Sequence, residues 1–216
     1  MSKACNKLTL KKTLLVLCEG QTEYNYYDHY RKNKSFSFSF RPVDVAGGGY
    51  TKMLKAIKQS SPQGVIARFI LLDMDRYFSH QDEQQVLGQI ISYIQIQNKN
   101  GNPIFLVLSN PDFDEFVLLH DRLYTGNKNT YLPTVNYQSI NDLKSDEKVY
   151  EKFNTKGRSY QIALQRLNPA TPVKNAFTFT KANYSINNTL SIFPNNFVVR
   201  TSNISDLYSV VDKIIS

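Results

Sequence analysis

"LLVLCEGQTE", Leu14 to Glu23, is apolar for five residues and then turns abruptly to Glu19, Gly20 and a second acid at Glu23. The run has strand length, with charge upstream and Glu-Gly downstream, so Lys11 to Cys18 reads as a short buried strand. Thr22 to Lys32, "TEYNYYDHYRK", sets Tyr26, Tyr27 and Tyr30 at helical spacing. The unit is strand, tight turn, helix, and it raises the question of what a carboxylate at the end of a buried strand faces.

The same grammar repeats downstream. "SFSFSFRPVDV", Ser35 to Val45, alternates with period two, and Pro42 confines it to an edge or an end. "GGGY", Gly47 to Tyr50, leads into a helix over Thr51 to Ser60 with Met53, Leu54 and Ile57 on one face and Thr51 as its cap. "VIARFILLDMD", Val65 to Asp75, is the most apolar run in the chain and again ends on acids, Asp73 and Asp75. A helix from about Asp82 to Gln97 follows, with Val86, Ile90, Ile91 and Ile94 facing inward, and the "NKNGNP" segment closes it. "IFLVLSNP", Ile104 to Pro111, is a fourth buried strand. Strands alternating with helices of this length imply a parallel sheet covered by helices on both faces, an α/β fold.

Beyond residue 125 the pattern weakens. Residues 126–216 read as a mixed α/β extension to a core of residues 1–125, within a chain of 216 residues that suits one domain with an appendage. The last strand and helix, from about residue 196 to 216, are expected to pack back on the core. Ser205 or Asn203 would cap that helix, and Leu207, Val210, Val211 and Ile214 would face inward.

Composition narrows the function classes. The formal charge is +8, from 26 Lys and Arg against 18 Asp and Glu, which suits a polyanion such as nucleic acid. No stretch approaches the ~20 apolar residues of a spanning helix, so no membrane partner is expected. Cys5 and Cys18 are too few for a disulfide framework or a zinc cluster, which points to a reducing cytoplasm. "GGGY" lacks the lysine of a P-loop, so an ATPase, where one is required, is a separate chain.

In an open α/β sheet the carboxyl ends of the strands form the ligand crevice, so Glu19, Asp73 and Asp75 are expected to converge there. Residues two apart in an extended chain point the same way, which would set both aspartates of "DMD" toward one site. Clustered carboxylates repel one another unless a cation compensates, and an all-oxygen set suits Mg²⁺ or Mn²⁺. Asp73 and Asp75 would hold the metal, and Glu19 would join them or act as general acid or base. Acids just past strand ends also serve as helix caps or solvated loop residues. Glu23, Asp82 and Glu83 at helix starts have an explanation in the helix dipole alone.

"LLVLCEGQTEYNYY", "LLDMDR" and "FLVLSNPDFDEFVLLH", in that order, resemble the RloB-like family found beside prokaryotic restriction and phage-defence genes. The likeness covers roughly residues 11 to 125. It implies a Toprim-like core with a glutamate after the first strand and Asp-x-Asp after the third, positions that Glu19, Asp73 and Asp75 occupy. Phe116 stands where family members usually carry Trp, and Gln21 where a Glu or Lys is usual. The resemblance implies a metal-dependent nuclease acting on DNA or RNA in a defence setting, with another defence protein as a candidate partner. A Toprim-like module that binds nucleic acid or protein without cleaving it is the alternative, and transfer chemistry on a small nucleotide is a third reading.

Around the acids, Ser109 and Asn110 should border the crevice. Glu23, Asp114 or Glu115, and His120 are candidates for substrate contact or for supporting the ligands, although His120 at the end of "FVLLH" also suits a core histidine. Lys128, Lys152, Lys156, Arg158, Arg166 and Lys174, interleaved with Tyr131, Tyr137, Tyr150 and Tyr160, are the expected nucleic-acid contacts; the competing reading is a solvated basic face over core tyrosines.

Overall fold

The computed structural model describes residues 12–167, 173–175, 190–192 and 200–215, the two middle segments by backbone alone. Five strands form the main sheet in the order β2-β1-β3-β4-β7. These are β1 (Thr13–Cys18), β2 (Ser39–Asp44), β3 (Val65–Asp73), β4 (Ile104–Asn110) and β7 (Thr201–Ser202). The first four are parallel, and β7 runs antiparallel to β4. The α/β class read from the alternating runs is the fold observed. Pro42 lies on β2, an edge strand, where its missing N–H interrupts no central ladder.

Helices cover both faces, and alternation along each strand sorts the side chains between them. Leu14, Val16 and Cys18 of β1, Ala67, Phe69 and Leu71 of β3, and Phe105 and Val107 of β4 face α1 (Gln21–Lys32), with its Tyr26, Tyr27 and Tyr30, and α5 (Phe113–Leu118). Leu15, Leu17, Ile70, Leu72, Leu106 and Leu108 face α2 (Gly49–Gln59) and α4 (Gln81–Lys99). Runs buried on both sides read as continuous hydrophobic sequence, which is why β1, β3 and β4 were recognisable.

Several local expectations are corrected. α2 begins at Gly49 rather than Thr51, because Gly48 as N-cap adopts φ +92°, a conformation open to glycine. The buried stripe of α4 is Glu83, Leu87, Ile90 and Ile94, with Val86 and Ile91 at its margin. β3 stops at Asp73. Met74 has helical backbone angles (φ -88°, ψ -8°), and Asp75 opens α3 (Asp75–Ser79), so the two-residue alternation expected for "DMD" is broken between its acids.

Residues 126–167 add α6 (Lys128–Tyr131), a 3₁₀ turn over Leu132–Val135, α7 (Ile140–Ser145), α8 (Val149–Phe153) and α9 (Tyr160–Arg166). Their Tyr131, Tyr137, Leu143, Tyr150 and Phe153 join the same apolar cluster as α1 and α5, so the core continues across residue 125 without a break. β5 (Val173–Asn175) and β6 (Leu190–Ile192) form a separate antiparallel pair. In the C-terminal segment β7 pairs with β4 and α10 (Ser205–Ile215) buries Leu207, Val210 and Val211; residues 196–199 of the expected strand, the side chain of Ile214 and Cys5 lie outside the described residues. Asn203 does not cap α10 with its side-chain oxygen. Its Oδ1 accepts the Leu108 N–H at 2.8 Å and its Nδ2 donates to the Leu106 carbonyl at 2.8 Å, prolonging the pairing along β4.

Candidate acidic centre at the strand ends

The turn after β1 and the end of β3 are tied together by one bond: the Asp73 N–H donates to Glu19 Oε2 at 2.9 Å. Because β1 and β3 are neighbours in the sheet, the sequence-distant acids arrive at the same end of it. Asp73 as a residue is partly exposed, but its carboxylate is turned inward, with Oδ1 accepting the Phe113 N–H at 2.8 Å. The Tyr50 hydroxyl donates to the Asp73 carbonyl, which draws the start of α2 to the same place.

Glu23, one helical turn beyond Glu19, is 3% exposed, and its Oε1 is buried without a hydrogen-bond partner. Gly20 leaves room for it, since a Cβ at that position would stand 3.1 Å from Glu23 Oε2. Asp114, also 3% exposed, has an Oδ2 that lies 3.5 Å from Lys144 Nζ. Asp112 caps α5 through the Glu115 N–H and pairs with Lys128 at 2.7 Å.

Crowding shows in the proton affinities. Burial, reinforced by Asp75 and Glu83, pushes the Glu19 carboxyl up to about 7 against the opposing bond from the Asp73 N–H. Glu23 rises to about 8, through burial first and then Asp114 and Glu19, with Lys144 pulling the other way. Asp73 is raised well above the usual range by burial, Glu23, Glu19, Asp112 and Asp114. Asp114 is raised by burial and Asp112. Four neighbouring carboxyls with raised affinities describe a site short of positive charge.

Asp75 differs from this group. It is exposed, and its Oδ1 accepts the Arg76 N–H at 2.6 Å. Arg76 in turn bonds Glu83 Oε1 through Nε at 2.9 Å and Nη2 at 2.6 Å, while Glu83 Oε2 accepts the Tyr50 N–H at 2.9 Å. Glu83 therefore links α2, α3 and α4 from a buried position. Sequence reasoning had assigned it only to the helix dipole; its signal was an acid in register with Leu87, Ile90 and Ile94. Lys144 gave no such signal, because α7 reaches the centre only through tertiary packing: its carbonyl accepts from Asn25 Nδ2 at 3.1 Å.

The remaining candidates fall in other places. Ser109, next to last in β4, bonds Ser202 at 3.1 Å, and the carbonyl of Asn110, its last residue, accepts the Arg200 N–H at 2.8 Å. His120 is fully buried, and both ring nitrogens are committed, one to the Tyr26 hydroxyl at 2.8 Å and the other to the Phe116 carbonyl at 2.9 Å. It has no nitrogen left for a substrate, and burial holds its pKa down at about 3. The expected basic contacts of the extension are largely engaged within the fold. Lys152 pairs with Asp146 at 2.8 Å and Arg158 with Asp121 at 2.6 Å, while Arg166 donates to the carbonyls of Leu119, Asp121 and Tyr124. Lys156 is exposed, and the side chain of Lys174 lies outside the described residues. Tyr131, Tyr137 and Tyr150 are buried in the core and Tyr160 stacks on Tyr208 at 4.4 Å, so these four rings are not an open platform for bases.

The donor chemistry fits a hard divalent cation: oxygen ligands only, mutual repulsion, and one buried carboxylate oxygen without a partner. Among the described residues no three His, Cys, Asp or Glu side chains already stand together as a ligand set, and Glu19, Asp73 and Asp75 each direct one oxygen to a main-chain N–H, which leaves their remaining lone pairs for a ligand. Binding would require the side chains to draw together into such a set. Among the described residues no helix is long and apolar enough to cross a membrane. In comparisons with family models, curated proteins and solved structures, none matches the chain.

Proposed function

We propose that the acidic centre binds Mg²⁺ or Mn²⁺ and that the protein hydrolyses phosphodiester bonds of DNA or RNA. The single observation that carries this reading is the buried, unpartnered Oε1 of Glu23 amid Glu19, Asp73 and Asp114. Such an arrangement is costly unless a cation or protons compensate it. Glu19, Glu23, Asp73 and Asp114 would hold the metal, with Asp75 at the exposed rim. A bound metal would polarise a phosphate oxygen and stabilise the charge that develops in cleavage. Glu19, with its carboxyl near 7, is suited to hold or release a proton around neutrality. The phage-defence or restriction setting, with a separate ATPase or other defence protein as partner, rests on the RloB-like motifs.

A second reading, a module that binds nucleic acid or protein without cleaving, is favoured by the lack, among the described residues, of a ready-made set of three metal-ligating side chains. Incubating DNA and RNA oligonucleotides with wild type and with Asp73→Asn in Mg²⁺ or Mn²⁺ separates the two. Cleavage by wild type alone is the expected result. Equal cleavage by both overturns the catalytic assignment, and binding without cleavage by either supports the module.

A further inference from the structure

Two of the lysines expected to meet phosphates in the extension, Lys128 and Lys152, are tied to carboxylates, whereas one helix beside the acidic centre carries cations and no acids. α2 reads "GYTKMLKAIKQ": its inward side buries Tyr50, Met53, Leu54 and Ile57, and its outward side presents Lys52, Lys55 and Lys58, all exposed. None of these three forms an ion pair with a carboxylate among the described residues. Lys52 makes a long bond to the Ala46 carbonyl at 3.3 Å, and Lys58 lies 6.0 Å from the centre of the Tyr93 ring. The neighbouring α4 adds Lys99 and a row of glutamines to this layer, with Asp82 as its exposed acid because Glu83 is buried. On the opposite face several cations are paired, Arg31 and Lys32 with Asp28 and Lys152 with Asp146, while Lys148 and Lys156 are exposed without an ion pair among the described residues.

We infer that the exposed lysine stripe of α2, Lys52, Lys55 and Lys58, is the track along which a nucleic-acid backbone reaches the acidic centre. This rests on the nucleic-acid reading above and names the surface that reading requires. The stripe starts at the centre itself: the Gly47 N–H bonds the Glu19 carbonyl at 2.9 Å, and Tyr50 bonds Asp73 and Glu83. From Lys52 to Lys58 the helix rises about 9 Å. One strand of a nucleic acid presents two to three phosphates over that length, at ~3.4 Å each along a helix axis. Unpaired lysines are the right chemistry for such a contact, since they release counterions without first breaking an internal ion pair. A repulsive acidic centre flanked by a cationic stripe also guides the backbone, holding phosphates on α2 until one meets the carboxylates.

The test is binding rather than cleavage, with fluorescent single-stranded DNA and RNA 20-mers in EDTA at salt concentrations from 0.05 to 0.5 M. Wild type is compared with Lys52→Gln/Lys55→Gln/Lys58→Gln and with the charge-matched control Lys34→Gln/Arg122→Gln/Lys148→Gln. With ~0.7 of salt slope per phosphate contact on single strands, the α2 variant should show a slope flatter by about 2 and affinity about a hundredfold weaker at 0.1 M salt. The control should stay close to wild type. The inference is overturned if the control loses as much affinity as the α2 variant, or if the α2 variant binds like wild type. Wild type that fails to bind either oligonucleotide at low salt overturns the nucleic-acid reading itself. Circular dichroism of both variants excludes misfolding as the cause; all six positions are exposed and lack an ion pair among the described residues.

Discussion

Replacing Glu23 with glutamine keeps the shape of the side chain and removes its charge, and it should stabilise the metal-free protein at neutral pH. The carboxyl titrates at about 8 in the fold against an ordinary value of 4.5. The folded state thus holds this proton more tightly than the unfolded chain. The associated stability is fully present below about pH 4.5 and is lost as pH rises through 8. Its surroundings account for the direction: burial, Asp114 and Glu19 disfavour the charge, and Lys144 offsets them only in part. Between pH 4.5 and 7 the loss comes to about 3 kcal/mol, at about 1.4 kcal/mol per pH unit. Glu23→Gln does not titrate and escapes that loss, which corresponds to a Tm higher than wild type by about 6 to 12 °C at pH 7 for a chain of this size. The two proteins should converge near pH 4.5. Thermal unfolding followed by circular dichroism in EDTA, from pH 4.5 to 8.5, measures the difference. A variant less stable than wild type at pH 7, or a difference independent of pH, would refute the claim that Glu23 is held as an uncompensated buried acid.

Other residues give sharper local tests. Gly49→Ala places a Cβ 2.1 Å from Glu83 Oε1 and 2.7 Å from Arg76 Nη2 at a φ of +73°, so it should cost at least about 2 kcal/mol in chemical denaturation and weaken any function of the centre. Asn203→Ala leaves the Leu108 N–H and the Leu106 carbonyl without their side-chain partner and should cost about 2 to 3 kcal/mol, with faster hydrogen exchange at Leu108. His120, with its pKa held near 3 by burial, should show no NMR titration between pH 5 and 8. A titration midpoint near 6.5 would place its ring in solvent.

What the sequence revealed and what it hid divide along physical lines. Strands buried on both sides and helices with one apolar stripe carry local, periodic signals, so β1, β3, β4, α2 and the returning α10 could be read directly. The carboxylates at the ends of β1 and β3 followed from the topology of parallel sheets. Asp75 was misplaced because Met74 leaves the extended conformation, and a two-residue alternation holds only while the strand lasts. Glu83, Lys144 and the pairing of Lys152 and Arg158 were obscure for a different reason. Each depends on a partner brought near by folding: Arg76 and Tyr50 for Glu83, Asp114 for Lys144, Asp146 and Asp121 for the two cations. Counting charges along the chain could not tell a free lysine from a neutralised one.

The most direct measurement of the central claim is calorimetric titration of Mg²⁺ and Mn²⁺ into wild type and Asp73→Asn at pH 7.5. Saturable binding by wild type that Asp73→Asn loses is the expected result. Equal binding by the two proteins, or no binding at millimolar metal even with an oligonucleotide present, would contradict the acidic centre as a metal site.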